Sequence, residues 1–403
     1  MKHYIVVASV LILSAAVISV AFISCKPGGS SAGNAAQPNF APAPGSPIAI
    51  AGGPGNVVIG DMNKDGKLDL VVASGRSRNI AVLLGRGNGQ FQTPRYVQLT
   101  GSESPGEIAL GDLNGDSTLD LAFVTHDSYG VTVLLGDGQG GLALAPNSPI
   151  VMKAGQHPHT HGLGIGDING DGKLDLTTVN NADNDVSVAL GDGRGNFANA
   201  PGSPFAVGPS PYPHTLGDVN NDGRIDIVAT TTATGPARAQ QLPFSRALTL
   251  LLNDGRGGFR ASQLPLRSGQ PWFVGIGDFN GDRKPDLAAT HHEQNALSVM
   301  LGDGRGGFSE SSDSPFSYGH NAFHAVVADV NRDGKLDVIA AAGDGFRVML
   351  GDGRGNFQLS TNSPFVTGRG IWRLAVADLN GDGRPDIVTS NSDSDAVSVM
   401  LGR

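Results

Sequence analysis

An all-β fold of seven four-stranded sheets set radially, a seven-bladed β-propeller, is predicted by three observations. A nine-residue pattern, Asp-x-Asn-x-Asp-x-x-x-Asp, opens at Asp61, Asp112, Asp167, Asp218, Asp278, Asp329 and Asp378, at spacings of 49 to 60 residues. Each copy runs straight into apolar, β-type sequence such as Leu70-Val71-Val72-Ala73. The two ends of the chain carry complementary parts of one repeat. The last copy stops at Val397-Ser398-Val399-Met400-Leu401-Gly402-Arg403, and Asn39-Phe40-Ala41-Pro42-Ala43-Pro44-Gly45-Ser46-Pro47-Ile48 matches the outer segment Asn196–Phe205. The N-terminal strand is therefore expected to complete the seventh blade and close the ring.

Residues 1–25 begin with Lys2 and His3 and continue through about twenty mostly apolar residues to Phe22-Ile23-Ser24-Cys25. They read as an export signal. The small residue before a lone cysteine resembles a bacterial lipobox, with Phe22 where Leu is usual, making Cys25 the candidate lipidation site; Lys26 then resembles an outer-membrane sorting pattern. Cleaved secretion and an uncleaved membrane anchor are the alternatives. Residues 26–38 are rich in Gly, Ser, Ala and Asn and read as a flexible tether, leaving 39–403 for the propeller. In the first complete blade, Asn56–Gly60 enters the loop, Leu68–Ala73 leaves it, Asn79–Leu84 follows, and a Gly-rich turn at 85–89 hands over to an outer segment near Leu99. The outer segments carry Ser148-Pro149, Ser203-Pro204, Ser314-Pro315 and Ser363-Pro364. Proline cannot donate to a ladder, so these segments belong at sheet edges.

The repeated loop has the chemistry of a calcium cradle. Positions 1, 3, 5 and 9 are Asp61, Asn63, Asp65 and Asp69 in the first copy and Asp112, Asn114, Asp116 and Asp120 in the second. The third and fourth carry Asp167, Asn169, Asp171, Asp175 and Asp218, Asn220, Asp222, Asp226; the fifth carries Asp278, Asn280, Asp282, Asp286. Asp329, Asn331, Asp333, Asp337 and Asp378, Asn380, Asp382, Asp386 complete the set. With the position 7 carbonyl, these hard oxygens supply most of the roughly six to eight that Ca²⁺ takes. Up to seven Ca²⁺ are expected. No flanking helix pattern accompanies the loops, which argues against an EF-hand. At position 6, which needs the sharp turn glycine gives, Ser117 and Arg283 intrude. A non-glycine residue at positive φ costs roughly 1–2 kcal/mol, so weaker sites are expected at the Asp112 and Asp278 loops. Of the 37 acids, 21 sit in the loops, and fourteen added charges would take the formal balance from −9 to +5. The acidity thus reports metal binding. No basic stripe with interleaved aromatics is present, so nucleic acid is not an expected partner. With Cys25 the one cysteine, no disulfide staples the fold.

The Asp-x-Asn-x-Asp-Gly-x-x-Asp loops and Leu-Gly-Asp-Gly turns, over residues 39–403, resemble the FG-GAP/VCBS family, the repeats of integrin α-chain propellers and of a fungal seven-bladed lectin. The resemblance implies seven blades with Ca²⁺ held between the first and second strands of each. It also implies that the opposite face is built from the connections between blades and from the loops joining second and third strands.

On that face, counting six residues back from each loop's first Asp gives Gly55, Gly106, His161, Tyr212, Trp272, Phe323 and Trp372. Five are rings, and both tryptophans are among them, so a collar around the central channel is expected. The histidines share the bias: His157, His159, His161, His214, His320 and His324 precede inner strands, and His126, His291 and His292 follow second strands. His157-x-His159-x-His161 has strand spacing that puts three rings on one side. The collar with His291 and His292 forms the candidate ligand site, with Asn180, Asn181, Glu293 and Asn391 as nearby polar groups. An insert at about Thr231–Arg246 is a candidate lid. The leading function is a calcium-stiffened binding or adhesion module, monomeric and exported, for a glycan or extracellular protein. The alternatives are long connections that merely hold polar residues, and an enzyme, a polysaccharide lyase or hydrolase, using the histidines for metal or acid/base chemistry. Beyond the Gly/Ser-rich tether, Gly-x-Ser-x-Gly, P-loop and zinc-helix motifs are absent from the sequence.

Overall fold

The computed structural model describes residues 36–99, 104–156, 158–231, 246–267 and 269–403. The export signal, Cys25, most of the tether, His157 and nearly all of the insert at 231–246 lie outside them.

Seven antiparallel sheets follow one another, each a meander running outward from the channel. Blade one is Pro54–Gly60, Asp69–Ser74, Asn79–Leu83 and Arg95–Gln98. In the second strands every residue is buried, because the two faces of the strand serve different neighbours. Val71 and Ala73 pack toward blade two, while Leu70 and Val72 pack toward blade seven. The apolar core is correspondingly divided into seven clusters, each filling the wedge between two adjacent blades.

The ring closes as the sequence predicts. Phe40, Ala41 and Pro42 pair with Gly402, Leu401 and Met400 as the outer strand of blade seven, and Ile48 pairs with Val397. Phe40 packs edge-on against the stacked rings of Phe346 and Phe365, 5.3 and 5.1 Å away. The ordered chain starts before residue 39: Gln37 accepts hydrogen bonds from Ser360 Oγ and Thr361 N, and Asn362 Nδ2 donates to the Pro38 carbonyl. The end of the expected tether is thus fastened to blade six.

The Ser-Pro segments sit at the rims. In blade two the outer strand is split into Leu142–Leu144 and Ile150–Val151, both on Gly130–Gly136. In the gap Val133 N donates to Ser148 Oγ at 2.8 Å, and Ser46, Ser203, Ser314 and Ser363 repeat this in their blades. The serine supplies the acceptor that the broken strand withholds.

The inner strands carry a second irregularity. Between Pro271 and Phe273 the register slips by one, leaving Trp272 unpaired, and the same happens at Gly55, Phe323 and Trp372. A β-bulge re-aims the extra side chain. Here it turns the rings of Trp272, Phe323 and Trp372 toward the end of the channel.

Candidate functional site

At the loop face, the turn is held by its own side chains. Asp61 Oδ1 and Oδ2 accept from the amides of Asp65 and Gly66, Asn63 Oδ1 accepts from Asp65 N, and Asp65 Oδ1 accepts from Lys67 N. Position 6 is left-handed in all seven copies, including Ser117 and Arg283 at φ 65°. Position 4 is left-handed too, with Lys64, Asn221 and Arg332 at φ 58°, 60° and 61°. The strain expected only at the Asp112 and Asp278 loops is therefore shared by the Asp61, Asp218 and Asp329 loops, and only the Asp167 and Asp378 loops have glycine at both positions.

Position 9 does a different job from the outward-facing positions. Asp69 is fully buried, its Oδ2 accepting from Met62 N at 2.8 Å and its Oδ1 from Gly85 N at 2.7 Å. Asp120, Asp175, Asp226, Asp286, Asp337 and Asp386 make the same two bonds. This aspartate ties the loop to the turn leaving the third strand, joining two motifs that look independent in the sequence. A cation at position 7 pairs with the position 5 carboxylate in five loops, as Lys67 does with Asp65 at 3.2 Å. Such exposed pairs are worth little. The three carboxylates of a loop do not converge as a set. The donors at positions 1, 3 and 5 are nonetheless hard oxygens on a turn already shaped by its amides, and they fit a divalent cation such as Ca²⁺.

Burial pushes Asp120, Asp175, Asp226, Asp286 and Asp386 up from 3.8 to about 6 and Asp337 up to about 8. It pushes His161 down from 6.5 to about 3 and His214 and His291 down to about 4. Without metal the two sets oppose each other. Raised aspartates bind protons more readily in the folded chain, so between about pH 4 and 6 they lower stability as pH rises; lowered imidazoles lower it as pH falls from 6.5 toward 4. A cation that holds the aspartates charged removes the first trend. Calcium-loaded protein is expected to lose stability steadily below about pH 6.5, and metal-free protein to show a flatter profile, read as urea midpoints across that range.

At the other end of the inner strands, about 20 Å away by strand rise, the rings form a continuous arc. His161 lies 3.9 Å from Tyr212, Tyr212 stacks on Trp272 at 4.9 Å, and Phe323 stacks on Trp372 at 4.9 Å. His292 fills the step between Trp272 and Phe323, at 5.3 and 4.1 Å. The arc is interrupted where blades one and two supply Gly55 and Gly106. There a cavity of about 510 Å³ opens, walled by His126, Thr160, His161, Tyr212 and Trp372. A β-carbon added at Gly55 would meet nothing within 4 Å, and its φ is not in the left-handed region.

Glu107 and Arg373, joined by an ion pair, line both this cavity and a channel cavity of about 320 Å³ below it, where His214 and His324 also stand. Leu163 N donates to Glu107 Oε2 at 3.1 Å. Neither residue was among the sequence candidates. Each follows a collar position by one, so the same counting rule, moved one residue on, reaches Asn56, Glu107, His324 and Arg373.

Other expectations on this face are corrected. His291 is fully buried in its strand, with Nε2 2.8 Å from Ser298 Oγ, because strand alternation turns it inward while His292 faces the arc. Asn180, Asn181 and Asn391 are buried and spend their amides on Asp185 and Ser187, on the Pro211 carbonyl, and on Ser398, respectively. Of the four expected polar groups, only Glu293 is exposed.

The profile of FG-GAP-like repeats matches residues 61–123, 167–229, 278–340 and 329–389, together more than half of the chain. The chain belongs to the FG-GAP-like repeat family. Each matched stretch opens on the first Asp of a loop, so the family signature and the cradle coincide. Among solved structures, this FG-GAP propeller is similar to an Agrocybe aegerita lectin described for recognition of non-reducing terminal N-acetylglucosamine, at 19% identity, TM-score 0.55, covering 85% of this chain and 87% of that one. It is also similar to a streptogramin B lyase, at 13% identity, TM-score 0.55, covering 89% and 97%. Virginiamycin B lyase from Staphylococcus aureus follows, at 10% identity, TM-score 0.53, covering 88% and 98%. At such identities the likeness is one of fold. No protein of curated description matches the chain by sequence.

Proposed function

We propose that this FG-GAP propeller is an exported, calcium-stiffened recognition module that binds a carbohydrate at the gap in its ring arc. One observation carries the reading: stacked aromatic faces lead to a cavity of about 510 Å³ whose floor holds a paired carboxylate and guanidinium. Sugars present apolar C–H faces and hydroxyl edges, and this wall offers ring faces for the first and Glu107 and Arg373 for the second. The similarity in fold to a lectin supports the same direction. The loops at the far end would hold up to seven Ca²⁺ and keep the seven inner strands in register beneath the arc. The export signal and Cys25 would place the module outside the cell, soluble or lipid-anchored, with an extracellular protein bearing glycans as the other partner class.

A glycan array at millimolar calcium tests the reading. Wild-type protein is expected to select a set of sugars, and Trp372→Ala to weaken that binding about thirtyfold, the loss of about 2 kcal/mol typical of a truncated aromatic anchor. Trp372 is 41% exposed, so its removal leaves the core intact. Unchanged binding in the variant would remove the arc from recognition. A second reading, a lyase or hydrolase acting in the same cavity, is favoured by the neutral imidazole of His161 in its wall. Release of shortened sugars from a bound array glycan would mark it.

A further inference from the structure

Beside the gap in the arc, two blades bring three imidazoles together. His126 follows the second strand of blade two, and His159 and His161 flank Thr160 at the start of the inner strand of blade three. One ring nitrogen of each lies within 4.8 Å of the others, the one such trio of histidine, cysteine or acidic side chains among the described residues. The ring centroids stand 3.9, 4.7 and 5.1 Å apart.

The backbone fixes this arrangement from both sides. Thr160 N donates to the His126 carbonyl at 3.0 Å, and Asn181 N donates to the His159 carbonyl at 2.8 Å. Thr160 Oγ1 donates to the Ser128 carbonyl at 2.6 Å. The side chains are also oriented as ligands are. Asp127 Oδ1 lies 2.7 Å from His126 Nδ1, so that nitrogen carries the proton and Nε2 keeps its lone pair. His161 Nε2 is buried and has no hydrogen-bond partner.

We infer that His126, His159 and His161 form a transition-metal site, distinct from the calcium loops, with Asp127 orienting the first ligand. An all-nitrogen set suits Zn²⁺, Cu²⁺ or Ni²⁺ and is a poor match for Ca²⁺, which takes oxygen. Three protein ligands leave at least one coordination position for a water or a ligand oxygen, the composition of open metal sites. His126 and His161 also wall the cavity described above, so a molecule seated there reaches the metal. The inference does not depend on the carbohydrate reading, since metal and sugar binding are measured separately.

The test uses the chain purified without a histidine tag and titrated with Zn²⁺ and with Cu²⁺ in millimolar calcium. One saturable equivalent of transition metal is expected. His126→Ala, at an exposed position, and His159→Ala should each weaken it at least a hundredfold, and Asp127→Asn about ten- to a hundredfold, the usual effect of losing an orienting carboxylate. His320→Ala, outside the trio, should bind as wild type does. Co²⁺ loading should give visible absorption bands of low-coordinate, nitrogen-ligated cobalt that vanish in His126→Ala. Absence of a saturable equivalent, or wild-type affinity in a folded His126→Ala, His159→Ala double variant, would overturn the assignment.

Discussion

A chain trimmed of residues 1–52 is expected to lose its closed, cooperative fold. The trimmed segment supplies the outer strand of blade seven, and without it the strand Ala396–Gly402 becomes a bare edge. The loss is apolar as well as polar. Phe40, Ala43 and Ile50 are buried, Phe40 in the wedge between blades six and seven and the other two in the wedge between blades seven and one. Phe40→Ala alone should cost about 3–5 kcal/mol, as for other buried phenylalanines. Against a total stability of about 5–15 kcal/mol, removal of the whole segment leaves little or nothing. Circular dichroism melts and size-exclusion chromatography check this. A trimmed chain that melts within a few degrees of the parent and stays monomeric would show that the ring holds without its closing strand.

Removal of calcium is expected to have the next largest effect. At about ten times its dissociation constant, one bound ion adds about 1.4 kcal/mol to the folded state, so seven equivalent loops would add about 10 kcal/mol. Extracellular calcium-binding modules have dissociation constants of about 10⁻⁴–10⁻³ M, so about 10 mM calcium reaches that tenfold excess throughout the range. In metal-free protein the position 7 cations take part of the ion's place, as Lys173 does beside Asp171 at 3.3 Å, but each such pair is exposed and contributes little. Chelation should therefore lower the melting temperature far beyond what matched ionic strength does. Equal melts with and without a chelator would contradict it.

The architecture was legible because it is periodic. Seven loops fix seven blades, the match of residues 39–48 to 196–205 fixes the closure, and a constant offset from the loops finds Tyr212, Trp272, Phe323 and Trp372. What escaped the sequence was set by geometry between repeats or by a single residue of register. The bulge that frees Trp272 leaves no compositional mark, because the extra residue is an ordinary strand former. His291 and His292 differ by one position and face opposite ways. The loop pattern marks Asp69 but not its bond to the Gly85 amide, because Gly85 lies 16 residues away in another motif. His126 is separated from His161 by the third strand and the split outer strand of blade two, so no local spacing announces their contact. The Glu107–Arg373 pair crosses blade one to join blades two and seven, 266 residues apart in sequence.

Recognition at the ring-lined face is tested most directly by tryptophan emission, because both tryptophans of the chain stand in the arc. Titration with an array-selected sugar at millimolar calcium is expected to shift that emission saturably, and Gly55→Phe, whose β-carbon meets nothing within 4 Å at the gap, should abolish the shift and the binding together. A sugar that binds without changing the emission, or a Gly55→Phe protein that binds as tightly as the parent, would contradict it.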